Sequence, residues 1–172
     1  MYVALLRGIN VGGKAKLPMK ELASIFAACG ASRVQTYIQS GNVVFESANA
    51  EVIVQAVTAE IARTYGYPGR IVLRTAEQLR MACLGNPFDG SDVETLHVYF
   101  LANMPERAAI KALDPYRSPG DSFVVKGREV YLHLPGGMAR TKLTNVYFDK
   151  QLQTVSTARN WNTVRKLVEL CS

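Results

Sequence analysis

Apolar residues fall along the chain in short blocks whose spacing switches between strand-like and helix-like periods. Tyr2-Val3-Ala4-Leu5-Leu6 is a continuous apolar run, the pattern of a strand buried on both faces, and a glycine-rich stretch from Arg7 to Leu17 follows it. Pro18 suits a first helical position, where a missing N–H costs nothing. Leu22, Ile25, Phe26 and Cys29 then fall at i, i+3, i+4 and i+7, one face of a helix, and Gly30 supplies the stop. Val34 to Gln39 alternates as a half-buried strand, Ser40-Gly41-Asn42 turns it, and Val43 to Glu46 returns as its hairpin partner. Ile53, Val57 and Ile61 predict a helix over 50–65 that ends before Gly66, and Arg70 to Arg74 reads as a closing strand.

The second half repeats this order. After a connecting helix around Ala76 to Cys83 and a loop carrying Asn86-Pro87-Phe88-Asp89-Gly90, Leu96 to Leu101 reads as a strand. Pro105 opens a helix ending near Asp114-Pro115, and Ser122–Val125 with Glu129–Leu134 forms a hairpin turned at Lys126-Gly127-Arg128. A helix over about Thr141 to Leu152, a short strand near Val155 and a last helix from about Asn160 complete the pattern. The expected fold is α+β, with duplicated ferredoxin-like βαββαβ units built on antiparallel sheets, plus a C-terminal helix. Residues 1–75 form the first unit, 76–94 a connecting helix and loop, and 95–172 the second unit with the terminal helix.

This topology groups residues that are distant in sequence. With the first strand antiparallel to the third, Arg7 to Lys14 belong beside Ser40-Gly41-Asn42. The same reasoning brings Pro135 to Lys142 next to Thr157-Ala158-Arg159-Asn160, so two polar, basic, glycine-containing patches are expected.

Charge sharpens the first of them. The net charge is +6 over 172 residues, and residues 1–74 hold eight cations against four anions. Glu21 is the first acid, so Arg7 to Lys20 presents positive charge alone. A basic bias of this size serves solubility or an anionic partner, and both readings stand. Hydrophobic residues make up 48% and charged residues 20%, ordinary values for a packed domain. No apolar run approaches a membrane span and no signal-peptide layout opens the chain, so a cytoplasmic location and no membrane partner are expected. Cys29, Cys83 and Cys171 are odd in number and widely spaced, which points to reduced thiols rather than disulfides or a zinc site.

Three motifs carry candidate chemistry. Gly8 to Ala15 has the spacing G-x-x-x-x-G-K after a strand, but Ala15 replaces the metal-binding hydroxyl and Pro18 falls where the helix of a phosphate loop would run. Nucleotide hydrolysis is therefore set aside, while a backbone cradle for an anion, helped by Arg7, Lys14 and Lys16, remains beside the plainer reading of a tight turn. Val98-Tyr99-Phe100-Leu101-Ala102-Asn103 resembles the first-strand motif of RNA-recognition domains, without a matching third-strand motif. Alternation within each strand is expected to put His97, Tyr99, Tyr131 and His133 on one sheet face, with packing preferred over base stacking as their role. At the C-terminus, Asn160 suits an N-cap and Trp161, Val164, Leu167, Val168 and Cys171 one helical face. Arg159 is left over, since a cation beside a helix N-terminus calls for an accompanying anion. Two histidines without a carboxylate cluster, and Cys29 on an apolar stripe, assemble neither a nucleophile with its base nor a metal site, and no cofactor is expected.

Ala4 to Gly13, Ser40 to Phe45, Asn86-Pro87-Phe88 and Thr157 to Thr163 together resemble a bacterial family known as a domain of unknown function, number 1697. The resemblance spans nearly the whole chain. It implies a two-part ferredoxin-like architecture and assigns no activity or catalytic residue. The sequence expectation is thus a cytoplasmic domain that binds a phosphorylated or other anionic small ligand through Arg7, Asn10, Gly12, Gly13, Lys14, Ser40 and Asn42, with Arg140, Lys142, Arg159 and Asn160 as a second group. Nucleic-acid binding through the basic surface and sheet tyrosines is the alternative from another class, and an enzyme of unassigned reaction a third. Oligomeric state is left open.

Overall fold

The computed structural model describes residues 1–13 and 16–172. The chain divides into two compact units, Met1–Arg80 with Leu167–Ser172, and Met81–Lys166.

In the first unit, β1 (Tyr2–Leu6) is central in a four-stranded antiparallel sheet of order β2-β3-β1-β4, with β2 Ser32–Tyr37, β3 Asn42–Glu46 and β4 Ile71–Thr75. Helices α1 (Met19–Ala28) and α2 (Ala50–Tyr65) cover one face. Ala4, Leu6, Val43 and Phe45 point into that layer and meet Leu22 and Phe26 of α1 and Ile53, Val57 and Ile61 of α2. The Phe26 and Phe45 rings are 5.2 Å apart. Val3, Leu5, Val44 and Val72, on the opposite face, are buried as well, which accounts for the unbroken apolar run at the start of the chain. The helix predicted over 50–65 is observed with those bounds, ending on Gly66 at φ +69°. Pro18 lies one position earlier than expected. Its ψ of 139° is extended, and its carbonyl accepts the first helical bond from Leu22 N, so it occupies the N-cap.

The second unit has the same plan. The sheet order β6-β7-β5-β8 uses β5 Leu96–Leu101, β6 Ser122–Lys126, β7 Glu129–His133 and β8 Ser156–Asn160. Helices α4 (Arg107–Lys111) and α5 (Asn145–Leu152) lie on the face of Tyr99, Leu101, Val130 and Leu132. The helix expected from Thr141 starts only at Asn145. Thr141 Oγ1 accepts from Leu143 N and Ser118 Oγ accepts from Lys142 N, which holds residues 141–143 out of the helix, and Thr144 Oγ1 then caps Tyr147 N. The helix expected from Pro105 to Asp114 shrinks to one turn and a half, because Glu106 is still extended.

Two corrections bear on function. The segment from Ser156 to Asn160, expected as a short strand followed by a loop, is a full strand paired with β5 from His97↔Asn160 to Leu101↔Ser156. The tyrosines do not share a face: Val98 stands opposite Tyr131, and Tyr99 opposite Val130. Directly opposed residues project to the same side, so Tyr99 and Tyr131 project to opposite sides. Tyr99 packs 5.6 Å from the Phe148 ring, while the Tyr131 hydroxyl donates to Ala82 O at 2.8 Å. Both are 3% exposed, so neither offers a ring for a base to stack on.

The duplication is more complete than the sequence pattern suggested. The connecting helix α3 (Ala76–Leu84) follows β4 directly, as α6 (Trp161–Leu170) follows β8, so each half reads βαββαβα. The last strand residue caps the helix in both cases: Thr75 Oγ1 accepts from Gln78 N, and Asn160 Oδ1 accepts from Thr163 N. One position earlier stands an arginine, Arg74 opposite Val3 and Arg159 opposite Val98. Both are buried, at 1% and 5% exposure, and each donates Nη1 to the preceding carbonyl, Leu73 O or Ala158 O. Burial pushes the Arg159 guanidinium down to about 10, which leaves it cationic at neutral pH.

Truncating either arginine to Ala empties a buried volume and should cost at least about 2 kcal/mol in urea unfolding; a loss within the scatter of surface substitutions would refute their structural role. His97 supplies a pH test. Burial holds its imidazole below the ordinary 6.5, and Nδ1 is buried without a hydrogen-bond partner among the described residues. The unfolded chain therefore binds the proton first as pH falls, so His97 contributes stability above 6.5 that is lost as pH drops through its lower folded value. His97→Gln should flatten that part of the stability profile, measured by urea unfolding at successive pH values.

Candidate anion-binding end of the first sheet

The register of β1 fixes what meets at its C-terminal end. Leu5 stands opposite Asn42, Leu6 N donates to Gly41 O at 2.8 Å, and Arg7 N donates to Arg70 O at 2.9 Å. The start of β4, the end of β1 and the turn before β3 therefore lie together, as the topology predicted for Arg7 and Asn42. The turn itself is longer than the expected one. Tyr37 pairs with Asn42, leaving Ile38 to Gly41 as a four-residue connection with Ile38 at φ +49° and Gly41 at φ +77°. Gly41 is required twice over, because an added Cβ would fall 2.6 Å from Ile9 Cδ1 and 2.8 Å from Leu6 Cβ.

The β1–α1 loop is anchored by its own side chains. Ile9 and Leu17 are buried in the core. Asn10, at φ +54°, donates Nδ2 to Leu17 O and Gln39 O, and its Oδ1 accepts from Leu17 N at 2.8 Å. One amide thus closes the loop and ties it to the neighbouring turn. Asn42, fully buried, donates Nδ2 to Tyr37 O and Ser40 Oγ. These two asparagines build the frame of the site from inside. Gly8, Gly12 and Gly13 have positive φ with open space around them, Val11 is 64% exposed, and Lys16 and Arg70 are exposed. Arg7 is partly exposed, and Lys14 lies outside the described residues. α1 begins at Met19, beyond the G-x-x-x-x-G-K spacing.

Four acids of this unit have partners away from the loop. Glu46 pairs with Arg33, Glu60 with Arg63, Glu77 with Arg80, and Glu21 accepts from the Tyr65 hydroxyl. Among the described residues no carboxylate pairs with Lys16, Lys20 or Arg70.

The second group is distributed differently. β7 ends opposite Leu96 and β8 opposite His97, so the 135–142 loop and Asn160 do lie at one end of their sheet. Arg140 and Lys142 are exposed there, whereas Arg159 is buried and also donates to Thr157 Oγ1 at 2.8 Å. Asn160 caps α6. A cleft of about 290 Å³ in the same unit, lined by Asn86, Phe88, Leu96, Trp161 and Arg165 among others, was not foreseen. Asn86 and Trp161 were visible as motif residues, but only tertiary structure brings them together.

These units define a duplicated ferredoxin-like α+β protein with a basic, glycine-lined end on its first sheet. The family model described as protein of unknown function (DUF1697) matches residues 1–131, and the chain belongs to that family. Its fold is similar to that of conserved bacterial protein SP0830 from Streptococcus pneumoniae, at 23% identity and a TM-score of 0.72 over 99% of this chain and 98% of that one. No curated protein matches the chain. No helix of the described residues is long and apolar enough to cross a membrane, and no group of three or more metal-ligating side chains occurs among them.

The frame makes its own test. Asn42→Ala removes a buried amide and leaves Tyr37 O without that donor, so it should cost more than about 1 kcal/mol in chemical unfolding. Gly41→Ala, which combines strain at positive φ with a steric clash, should cost about 1–3 kcal/mol. Near-neutral effects of both would mean that this turn is not held as described.

Proposed function

We propose that the protein binds a small phosphate-bearing anion at the end of the first sheet. The observation that carries this reading is that Arg7, Lys16 and Arg70 all lie on segments that meet at this end of the sheet beside an exposed glycine loop, while Glu21, Glu46, Glu60 and Glu77 have partners away from it. Backbone N–H groups of Gly12 and Gly13 would supply directional donors, and the cations the field. Lys14 belongs to the same segment of sequence, and Ser40 lies in the turn that Asn10 ties to the loop through Gln39 O. Strain supports the assignment: Asn10 and Ile38 hold positive φ in the two loops that are tied together at Gln39 O, and such conformations concentrate at ligand sites. Arg140 and Lys142 would give a separate, weaker patch on the second unit. Burial of Tyr99 and Tyr131 removes the support for base stacking, so nucleic acid is the less favoured partner.

Titration of the ¹⁵N-labelled protein with inorganic pyrophosphate at low salt should move the Gly8, Gly12 and Gly13 amides in a saturable way. Lys16→Gln and Arg70→Gln should each weaken binding by about two- to fivefold, the range of an exposed ion pair, without changing stability. Unmoved loop amides at millimolar pyrophosphate would overturn the reading. Saturable binding of single-stranded RNA with a steep salt dependence would instead favour a nucleic-acid partner.

A further inference from the structure

The cleft on the second unit has a composition unlike the basic end of the first sheet. Phe88, Val93, Leu96 and Trp161 form apolar walls, and Asn86 and Arg165 bring polar groups to it. The aromatic walls are fixed from behind, with the Trp161 ring 6.5 Å from Tyr131 and the Phe88 ring 5.8 Å from His133. Asn86 Oδ1 accepts from Phe88 N, and Ser91 N donates to Phe88 O, so the loop that carries Phe88 is held in place. This is a preformed concavity rather than a gap between mobile side chains.

Charge selects among ligands that would fit. Arg165 follows Trp161 by four residues on α6, which places both on one helix face. Its charge reaches the Cys83 thiol, another lining group, where it opposes the upward shift that burial imposes. Among the described residues no carboxylate pairs with Arg165. Of the two acids that flank Val93, Asp92 accepts from Glu94 N at 3.1 Å and Glu94 accepts from Asn162 Nδ2 at 2.7 Å. Asp89 also lines the cleft, but on an exposed loop tip beside Gly90 at φ +87°. The cation is thus carried on a helix, one turn from Trp161 of the aromatic wall, and the anion on a loop. A volume of about 290 Å³ is at the lower limit of small-molecule pockets, enough for one ring and a short polar arm.

We infer that this cleft binds a small single-ring carboxylate, its ring against Phe88 and Trp161 and its carboxylate on Arg165. The site lies wholly within the second unit and is independent of the phosphate reading above.

Trp161 is the only tryptophan in the chain, so its fluorescence reports on this cleft directly. With the full-length protein, 3-phenylpropionate should give a saturable change in Trp161 emission, and 2-phenylethylamine, of similar shape and opposite charge, should give none. Arg165→Gln, on an exposed helix position, should weaken the carboxylate at least about tenfold, as loss of a hydrogen bond to a charged group does. Val93→Phe, which fills the cleft, should abolish the response while far-UV circular dichroism stays unchanged. The proposal is overturned if 3-phenylpropionate gives no saturable change, if the amine binds as well, or if Arg165→Gln binds normally.

Discussion

A strand that is hydrogen bonded on both edges and buried on both faces has almost no freedom of register. Sliding β1 by one residue would exchange the residues facing α1 and α2 with those facing the other way, and break two ladders at once. The pairing of Leu5 with Asn42 and of Leu6 with Ile71 is therefore set by the whole core, not by the residues at the end of the sheet. Everything proposed for that end depends on it. Arg7 and Arg70 meet because β1 and β4 are locked, and the glycine loop lies against the Ile38–Gly41 turn because β1 and β3 are.

The internal amides then decide what the loops present. Asn10 and Asn42 donate to the backbone carbonyls of Leu17, Gln39 and Tyr37 at the end of the sheet, so these amides are engaged in holding the loops. With the polar side chains turned inward, the outward chemistry is left to backbone groups and cations. Glu46, Glu60 and Glu77 each pair with an arginine close in space. Each of those exposed pairs contributes little to stability.

Arg159 changes meaning when seen beside Arg74. Read alone, it was a cation at a helix start with no visible anion. In the fold it is the second copy of a buried arginine that precedes a helix-capping residue in each unit, and that residue's side chain accepts from the first turn of the helix. Burying a guanidinium is costly unless its donors are satisfied, which makes the surroundings of both arginines part of the architecture.

The sequence by itself determined the elements whose signal is local. The apolar run of β1, the four-residue spacing in α2 with its Gly66 stop, the repeated order of strands and helices, and the acid-free stretch from Arg7 to Lys20 are all legible from neighbours within a few residues. The joining of Arg7 to the Ser40–Asn42 turn followed from those elements and one topological rule. What only tertiary structure decided concerns pairing between distant strands and competition for hydrogen bonds. Alternation within β5 and within β7 says which residues of each share a face, but not the parity between the two strands, so Tyr99 and Tyr131 could be placed together only by knowing that Val98 opposes Tyr131. Apolar spacing could not reveal that Ser118 and Thr141 would hold residues 141–143 out of α5. Nor could it place Trp161 and Arg165 beside a loop some 75 residues earlier, because a cleft is a property of surfaces that meet. Periodicity records which side of an element is buried; which partner buries it is fixed by the fold as a whole.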